Sequence, residues 1–345
     1  MPQLNVGIVP GGAVGAELSA ATRRAFVPAL FVNIYKATPT LNLLFGTAQR
    51  AAGGVSTVTV PVQGSSYVSF AWTDYSGGFA QPTIQPGLQN AEYNLKVGVV
   101  PIAFNGMEAL LQATETVIPL MKARMADAKT VAVQSIAGSI FANNSALNTT
   151  VTGFPQVFDD GTNVSTLGGI NRTSVGNGFW KGQYFSGVGT ILTRSAMLRY
   201  LVQVTAGTSG GGQSAGGEAP DFAVMSPSDW TTLMQDYLTN ERYVTDPRMR
   251  YAKDDPVNSG FRGIMLGETP FFMDPFCPKG TCYMFNTKYT SLYVSEDAPF
   301  AFSGFYSAIP NLQISNIGVV IIGMELVCAK PSSGAQITGI TGGAF

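Results

Sequence analysis

The chain has 345 residues, more than one hydrophobic core usually holds, so two or more domains or subdomains are expected. Charged residues make up 12% of the sequence, well below the ~25% usual in soluble domains, and the net charge is −1. No stretch carries the dense basic patch of a nucleic-acid-binding protein. A monomer with so few charges would have a poorly solvated surface, which favours an assembly in which other copies cover much of it.

The first 50 residues are predicted to form an N-terminal arm. They start with MPQLNVGIVPGG, which lacks the basic and apolar regions of a secretory signal, so we expect a soluble protein made in the cytoplasm. A short helix is predicted from Ala16 to Val32, with Arg23 and Arg24 on it, followed by extended or irregular chain from Asn33 to Phe45. Such a segment buries little by itself, so we expect it to lie across neighbouring structure.

Residues 51 to 104 are predicted to form a long two-stranded β-hairpin. The outgoing strand covers Val55 to Val62 and continues through Val68 to Trp72, and the return strand runs from Tyr93 to Phe104. A lone hairpin is marginal in water, so it should lean on another surface. Three aromatic residues lie near its turn-rich tip: Trp72, Tyr75 and Phe79.

The longest helix-patterned segment spans Asn105 to Asn143. Asn105 and Thr116 are alternative N-caps, and Pro119 fits the first turn of a helix that begins at Thr116. Apolar residues recur at helical spacing in one stripe: Ile118, Met121, Met125, Ala128, Ala132, Ile136 and Ile140. The stripe is predicted to pack on a strand at Leu312 to Ala329. Four charged residues should face away from that sheet: Lys122, Arg124, Asp127 and Lys129.

Helices and strands interleave in the rest of the chain. A helix is predicted across Gly189 to Val204, and a buried strand from Phe222 leads into a second helix from Pro227 to Leu238, capped by Ser226. Short strands and loops are predicted for residues 142 to 188. Further strands are expected at 263–286 and 289–294, and the almost continuously apolar run ending at Ala329 should be a central, well-covered strand. This order predicts an α+β fold.

The sequence offers little catalytic equipment. It contains no histidine, which excludes Ser-His-Asp and Cys-His groups and most catalytic zinc sites. The glycine-rich run at 207–217 lacks the Lys-Ser/Thr of a phosphate-binding loop. The pairs Asp159-Asp160 and Asp254-Asp255 are expected in polar loops, either solvated or in turns. We therefore expect no enzyme activity, no cofactor and no metal.

Three cysteines are too few for a disulfide framework or a zinc site. Cys277 and Cys282 flank Pro-Lys-Gly-Thr, which is predicted to be a hairpin turn, and buried free thiols are favoured there over a cross-strand disulfide; Cys328 is the third. The longest strongly apolar run, Ile317 to Met324, is too short to span a bilayer, so no membrane partner is expected.

The order of arm, long hairpin, long helix, α+β lobe and returning apolar strand resembles the major capsid proteins of tailed bacteriophages, which have the Hong Kong 97-type fold. Three stretches carry the resemblance. They are Val97 to Leu111, where a strand runs into a helix; the strand–helix pair Phe222 to Met234; and the strand–turn–strand Gly263 to Asp274, followed by Tyr289 to Val294. The resemblance spans nearly the whole chain.

This resemblance implies an arm (1–50), an extended loop lying over a neighbouring subunit (51–104), a peripheral domain with a spine helix (105–180 and 306–345) and an axial domain (181–305). Pentamers and hexamers would form an icosahedral shell that encloses double-stranded DNA without sequence-specific binding. The shell would be the capsid of a virion assembled in the host cytoplasm. Scaffolding, portal and decoration proteins are the further partners that the resemblance implies.

The residues expected to contact neighbouring subunits are Arg23, Arg24, Trp72, Tyr75 and Phe79. Some relatives join a loop lysine to a neighbour's asparagine, but Lys96 lies far from the hairpin tip, so this chemistry is not carried over. Two other interpretations stay open. One is an encapsulin-like shell protein of a cellular nanocompartment, which would share the fold. The other is a secreted β-rich protein that is adhesive or acts on carbohydrates.

Overall fold

The computed structural model describes residues 38–63, 88–105, 114–144, 149–174, 176–187, 191–206, 218–240, 263–297, 300–307 and 315–341. The helices of this part of the chain are α1 (Pro39–Gly46), α2 (Thr114–Phe141), α3 (Phe154–Val157), α4 (Arg194–Ala206) and α5 (Pro227–Asn240), with 3-10 turns at Asn177–Trp180 and Pro331–Ser333. The strands are β1 (Gln49–Ala51), β2 (Thr57–Gln63), β3 (Leu88–Asn94), β4 (Lys96–Asn105), β5 (Thr166–Leu167), β6 (Ile170–Asn171), β7 (Gln183–Ser186), β8 (Phe222–Met225), β9 (Gly263–Leu266), β10 (Thr269–Met273), β11 (Thr281–Phe285), β12 (Thr290–Ser295), β13 (Ala301–Ser307), β14 (Ser315–Cys328) and β15 (Ala335–Thr338).

A five-stranded sheet is built around β14, the 14-residue strand near the end of the chain. It pairs antiparallel with β4, β12 and β13, and β1 adds in parallel to β12. The β4 ladder is the longest, extending from Asn105 opposite Ser315 to Lys96 opposite Met324. Gly323 to Cys328 are all buried, so the prediction of a well-covered central strand is confirmed for this half of β14, whereas Ile317, Val319 and Ile321 are half-buried.

A six-stranded mixed sheet has the order β7-β15-β11-β8-β10-β9. Every residue of β8 and β11 is buried, as expected for strands in the middle of a covered sheet. One face contacts α4 and α5 through a core that includes Met197, Leu201 and Leu233. The other face carries aromatic residues into the main core, where the rings of Phe141 on α2 and Phe154 lie 5.5 Å apart.

The two predicted helices with clear local signals are confirmed. Ser226 precedes α5, and its Oγ accepts a hydrogen bond from the Asp229 amide at 3.3 Å, with Pro227 at the first helical position. Described residues of α2 run from Thr114, two residues before the predicted start at Thr116, whereas Asn105 ends β4 instead of capping a helix.

The segment from Asn33 to Phe45 was predicted to be extended or irregular, and this is wrong for its described part. α1 begins at Pro39, and the Oγ1 of Thr38 accepts a hydrogen bond from the Leu41 amide at 3.2 Å. Leu41 and Leu44 are completely buried. The helix forms because a threonine cap and a proline at the first position support a short apolar turn that the main core covers.

The predicted hairpin exists, but its return strand is not continuous. β2 and β3 pair antiparallel from Thr57 opposite Asn94 to Gln63 opposite Leu88. The chain then leaves the hairpin at Leu95, and β4 joins the five-stranded sheet instead. The predicted single strand from Tyr93 to Phe104 is therefore wrong, because β14 supplies β4 with a longer apolar partner than β2 does.

Strand membership also differs from the expected division of the chain. β12 and β13, from the segment assigned to the axial domain, lie in the sheet of β14, whereas β15 lies in the six-stranded sheet. The predicted turn between Cys277 and Cys282 does not close a hairpin, because β8 lies between β10 and β11 and pairs with both. The peripheral and axial domains stay a prediction, and these pairings argue for different boundaries.

Candidate functional site

One face of the five-stranded sheet is bare and apolar. On β4, Val97 and Val99 are 61% and 55% exposed, and Pro101 and Ala103 on the same face are also exposed. The β14 residues opposite the last three are half-buried and apolar: Ile321, Val319 and Ile317. An antiparallel sheet with one face on the core usually carries polar residues on the other. The residues named here carry no charge, so this part of the face is suited to be covered by another surface.

The opposite face of the same strands lies under α2. Ile102, Val320 and Ile322 are buried there, and a groove of about 440 Å³ runs between α2 and the sheet. Its lining is mostly apolar, with Arg124 and Asp127 as its charged residues. Val99, Pro101 and Ala103 also border the groove, so the groove reaches the edge of β4.

The apolar stripe predicted on α2 is confirmed where the structure describes it. Ala128, Ala132 and Ile140 are buried and Ile136 is half-buried, although α2 packs mainly along β4 and less on β14. Arg124 was predicted to face away from the sheet, and this is wrong. Its Nη1 donates to the carbonyl oxygen of Ala103, because a long guanidinium side chain can reach an unpaired strand carbonyl.

The base of the hairpin is fixed to the body of the protein. The Glu92 amide donates to the carbonyl of Gly168 at 2.9 Å, and the buried Tyr93 hydroxyl donates to the carbonyl of Cys328 at 2.9 Å. The Gln89 side-chain amide also donates to Asn177 Oδ1 at 3.3 Å. Burial raises the pKa of Tyr93 well above its usual range, so it stays a neutral donor. These contacts hold the described part of the hairpin against the body.

A buried arginine supports the end of the short helix α3. The guanidinium of Arg172 is completely buried and donates to the carbonyls of Gln156 and Val157, each at 2.7 Å. Burial lowers its pKa to about 10, opposed by nearby Tyr93 and Asp159. Arg172 therefore remains charged at neutral pH and holds the carbonyls of the last two residues of α3, which lie at the end of the helix.

Asp159 was expected in a polar loop, either solvated or in a turn; it lies in a turn, but it is not solvated. Its side chain is 0% exposed and accepts hydrogen bonds from the amides of Gly161, Asn163 and Val164 and from Asn163 Nδ2. Three converging backbone donors allow a carboxylate to replace water in the interior. The sequence pattern Asp-Asp-Gly signals a turn but does not show which carboxylate points inward.

The five predicted contact residues cannot be placed beside these features. Arg23, Arg24, Trp72, Tyr75 and Phe79 lie outside the described residues, as does the pair Asp254-Asp255. Sequence reasoning missed Val97 and Val99 as a surface. The available signal was the run Val-Gly-Val-Val-Pro-Ile-Ala from Val97 to Ala103, which is apolar on both strand faces.

The described ranges were compared with the requirements of a metal site and of a membrane-spanning helix. They contain no cluster of three or more cysteine and acidic side chains suited to hold a metal ion. Among the described helices, none combines the length and apolar character needed to cross a bilayer. Cys277, Cys282 and Cys328 are buried free thiols, and burial raises the pKa of each.

No protein-family model and no curated protein matches the chain. Solved structures do match. A chain of the cyanophage A-1(L) capsid is 18% identical, with 88% of this chain and 93% of that chain covered and a TM-score of 0.62. A chain of the capsid of a native GTA particle is 11% identical, with 86% of this chain and 90% of that chain covered and a TM-score of 0.51. A chain of the capsid of an empty GTA particle is 10% identical, with 86% of this chain and 89% of that chain covered and a TM-score of 0.50. The chain has the Hong Kong 97-type α+β fold, as the sequence predicted.

Proposed function

We propose that the protein is the major capsid protein of a tailed bacteriophage. Its copies assemble through pentamers and hexamers into an icosahedral shell that encloses double-stranded DNA. The fold is that of chains from the cyanophage A-1(L) capsid and from capsids of GTA particles. The observation in this molecule that best supports assembly is the bare apolar face around Val97 and Val99, which neighbouring copies would cover.

The domains of the shell subunit follow the two sheets. The five-stranded sheet with α2 forms the peripheral domain, and the six-stranded sheet with α4 and α5 forms the axial domain near the capsomer centres. In this division β12 and β13 belong to the peripheral domain and β15 to the axial domain. The arm and the hairpin with its tip extend from this body and contact neighbouring subunits, with Arg23, Arg24, Trp72, Tyr75 and Phe79 among the contact residues.

The role is structural and not catalytic. The few charges suit large contacts between subunits and a lining that encloses DNA without gripping its sequence. The protein would be assembled in the host cytoplasm and would reside in the capsid of the virion. Scaffolding, portal and decoration proteins are the further partners in this proposal.

Electron microscopy and light scattering of the purified protein test the proposal. We expect closed shells of defined diameter, far larger than the 36.4 kDa chain. A monomer at every protein concentration would contradict it and favour the secreted β-rich alternative. Shells whose gene lies beside cargo enzymes, instead of portal and terminase genes, would favour the encapsulin-like alternative.

A further inference from the structure

β4 is an edge strand whose second edge carries no described strand. It pairs with β14 on one side, and the ladder covers all ten of its residues. In an antiparallel strand the backbone groups of successive residues point to alternate sides. The backbone groups of every second residue therefore form the free edge. Three observations show whether these are the odd-numbered or the even-numbered residues of β4.

The first observation is the hydrogen bond from Arg124 of α2 to the carbonyl of Ala103, which directs the groups of Ala103 away from β14. The second is that the amide of Val319, the register partner of Pro101, donates to Ser303 Oγ on β13 at 3.0 Å. It therefore points away from β4. The third is Pro101 itself, which has no amide hydrogen to offer to β14. Together they place the backbone groups of Val97, Val99, Pro101 and Ala103 on the free edge.

This edge has little protection against pairing. Natural edge strands are usually short, charged, bulged or covered. β4 has ten residues, and from Val97 to Ala103 it contains no charge. Pro101 removes one donor, and Arg124 occupies the Ala103 carbonyl. Among the described residues, the amides of Val97 and Val99 and the carbonyls of Val97, Val99 and Pro101 remain as an uncharged template.

The groove beneath α2 lies where a strand added to this edge would direct half of its side chains. Such a strand would continue the sheet, with alternate side chains on its two faces. Those on the inner face would enter the groove of about 440 Å³ beside Val100 and Ala128. Those on the outer face would extend the bare surface of Val97 and Val99.

We propose that a second copy of the chain adds an extended strand to the free edge of β4, with its inner side chains in the groove beneath α2. This inference rests on the proposed assembly and specifies one contact within it. An occupant with few charges fits an uncharged edge and an apolar groove. The chain supplies such stretches, including residues 67–72, Tyr-Val-Ser-Phe-Ala-Trp, which the sequence predicts to be strand-prone and which lie outside the described residues. They belong to the 24 residues between β2 and β3, which can reach about 40 Å from the hairpin end when each half is extended.

The test substitutes the free-edge amide. Val99→Pro removes the amide hydrogen on the free edge and leaves the β14 ladder intact, as Pro101 does two residues later. We expect the concentration for half-maximal shell assembly to rise about tenfold, with an unchanged unfolding midpoint for the unassembled subunit. Val99→Thr keeps the amide and is the matched control, for which assembly at the original concentration is expected.

Shell assembly by Val99→Pro at the original concentration, while the unsubstituted chain also forms shells, would overturn this inference and leave the proposed function standing. Absence of shells for the unsubstituted chain would overturn both. Hydrogen exchange of the unsubstituted chain gives a second readout that does not depend on folding of the proline variant. The Val97 and Val99 amides should exchange rapidly in the unassembled subunit and slowly in shells of the purified chain. Slow exchange in the unassembled subunit, or rapid exchange in shells, would show that no second copy adds there.

Discussion

The carboxylate of Asp159 is a single side chain that organises a loop. It satisfies three backbone amides and one side-chain amide, and it lies close enough to Arg172 to oppose the fall in that residue's pKa. Removing a buried charged acceptor leaves its donors without partners. We expect Asp159→Ala to lower the free energy of unfolding of the unassembled subunit by about 3 kcal/mol, measured in denaturant.

The neighbouring acid provides the control for this substitution. Asp160 is half-buried and accepts one hydrogen bond, from the Thr162 amide at 2.9 Å. Asp160→Ala should cost about 1 kcal/mol, because water can replace the carboxylate. If the two variants lost equal free energy of unfolding, the burial of Asp159 would add nothing to the stability of the subunit.

Glu325 on β14 predicts a dependence of stability on pH. It is 1% exposed, and its Oε1 accepts a hydrogen bond from the Thr152 amide at 2.9 Å. Burial raises its pKa above the usual 4.5, opposed by the bond from Thr152 and by Lys96. The folded state thus binds this proton more tightly than the unfolded chain does. Its contribution to stability is complete below the unfolded pKa and is lost as pH rises through the folded pKa.

The variant Glu325→Gln removes this titration and keeps the side-chain shape. Relative to the unsubstituted chain, it should become progressively more stable as pH rises above the usual glutamate pKa. Denaturant unfolding of both proteins across a pH series measures this. A difference that stays constant with pH would contradict the assignment to Glu325. The control is Asp297→Asn, which makes the same change from acid to amide at an exposed residue. The Asp297 carboxylate accepts a hydrogen bond from the Gly54 amide.

At the scale of elements, the hairpin base can be tested through two adjacent glycines. Gly168 and Gly169 both have positive φ, at 57° and 77°. A Cβ at Gly168 would lie 3.1 Å from Ala91 Cβ and 3.2 Å from the Tyr93 ring, whereas one at Gly169 would meet nothing within 4 Å. Both Ala variants should lose about 1 kcal/mol of unfolding free energy, because alanine is strained in the left-handed backbone conformation. Gly168→Ala should lose about 1 kcal/mol more, because the hairpin must shift.

The difference between the two variants isolates the contact with the hairpin, since the backbone cost is common to both. Denaturant unfolding gives the two losses, and hydrogen exchange of the Glu92 amide, which donates to Gly168, reports the position of the hairpin. Faster exchange is expected in Gly168→Ala alone. Identical behaviour of the two variants would mean that this loop does not support the hairpin.

Elements with local signals could be predicted from the sequence, and pairings over long separations could not. Ser226 and Pro227 identify the start of α5 by themselves, and the α2 stripe needs only helical spacing. Thr38 and Pro39 carry the same kind of signal for α1, which the prediction did not use. The split at Leu95 depends on β14, more than 200 residues later, and the burial of Asp159 depends on the loop that folds around it. The fold could be predicted from the order of the elements. The bare face could not be predicted, because it depends on the register in which β4 pairs with β14.

At the scale of the whole molecule, the chain crosses from one sheet to the other, and this favours cooperative unfolding of the two parts. The chain passes from the five-stranded sheet at β14 to the six-stranded sheet at β15, within residues that are nearly all buried. Aromatic residues of both parts meet in one core, where Phe141 lies 5.8 Å from Tyr283 between ring centroids. The subunit body is therefore suited to act as one unit that carries its hairpin and its bare face into contact with other copies.

The character of those contacts can be measured from their response to salt and temperature. The stretch of β4 from Val97 to Ala103 contains no charged residue, and the whole chain has 12% charged residues. Raising the salt from about 0.1 M to about 1 M, which shortens the screening length about threefold, should therefore change the concentration for half-maximal assembly little. Cooling from about 25 °C to about 5 °C should raise that concentration, because the burial of apolar surface stabilises less in the cold. Light scattering over a dilution series measures both responses. A steep increase with salt and no effect of cooling would mean that ion pairs hold the copies together, and the apolar face would then not be the surface that drives assembly.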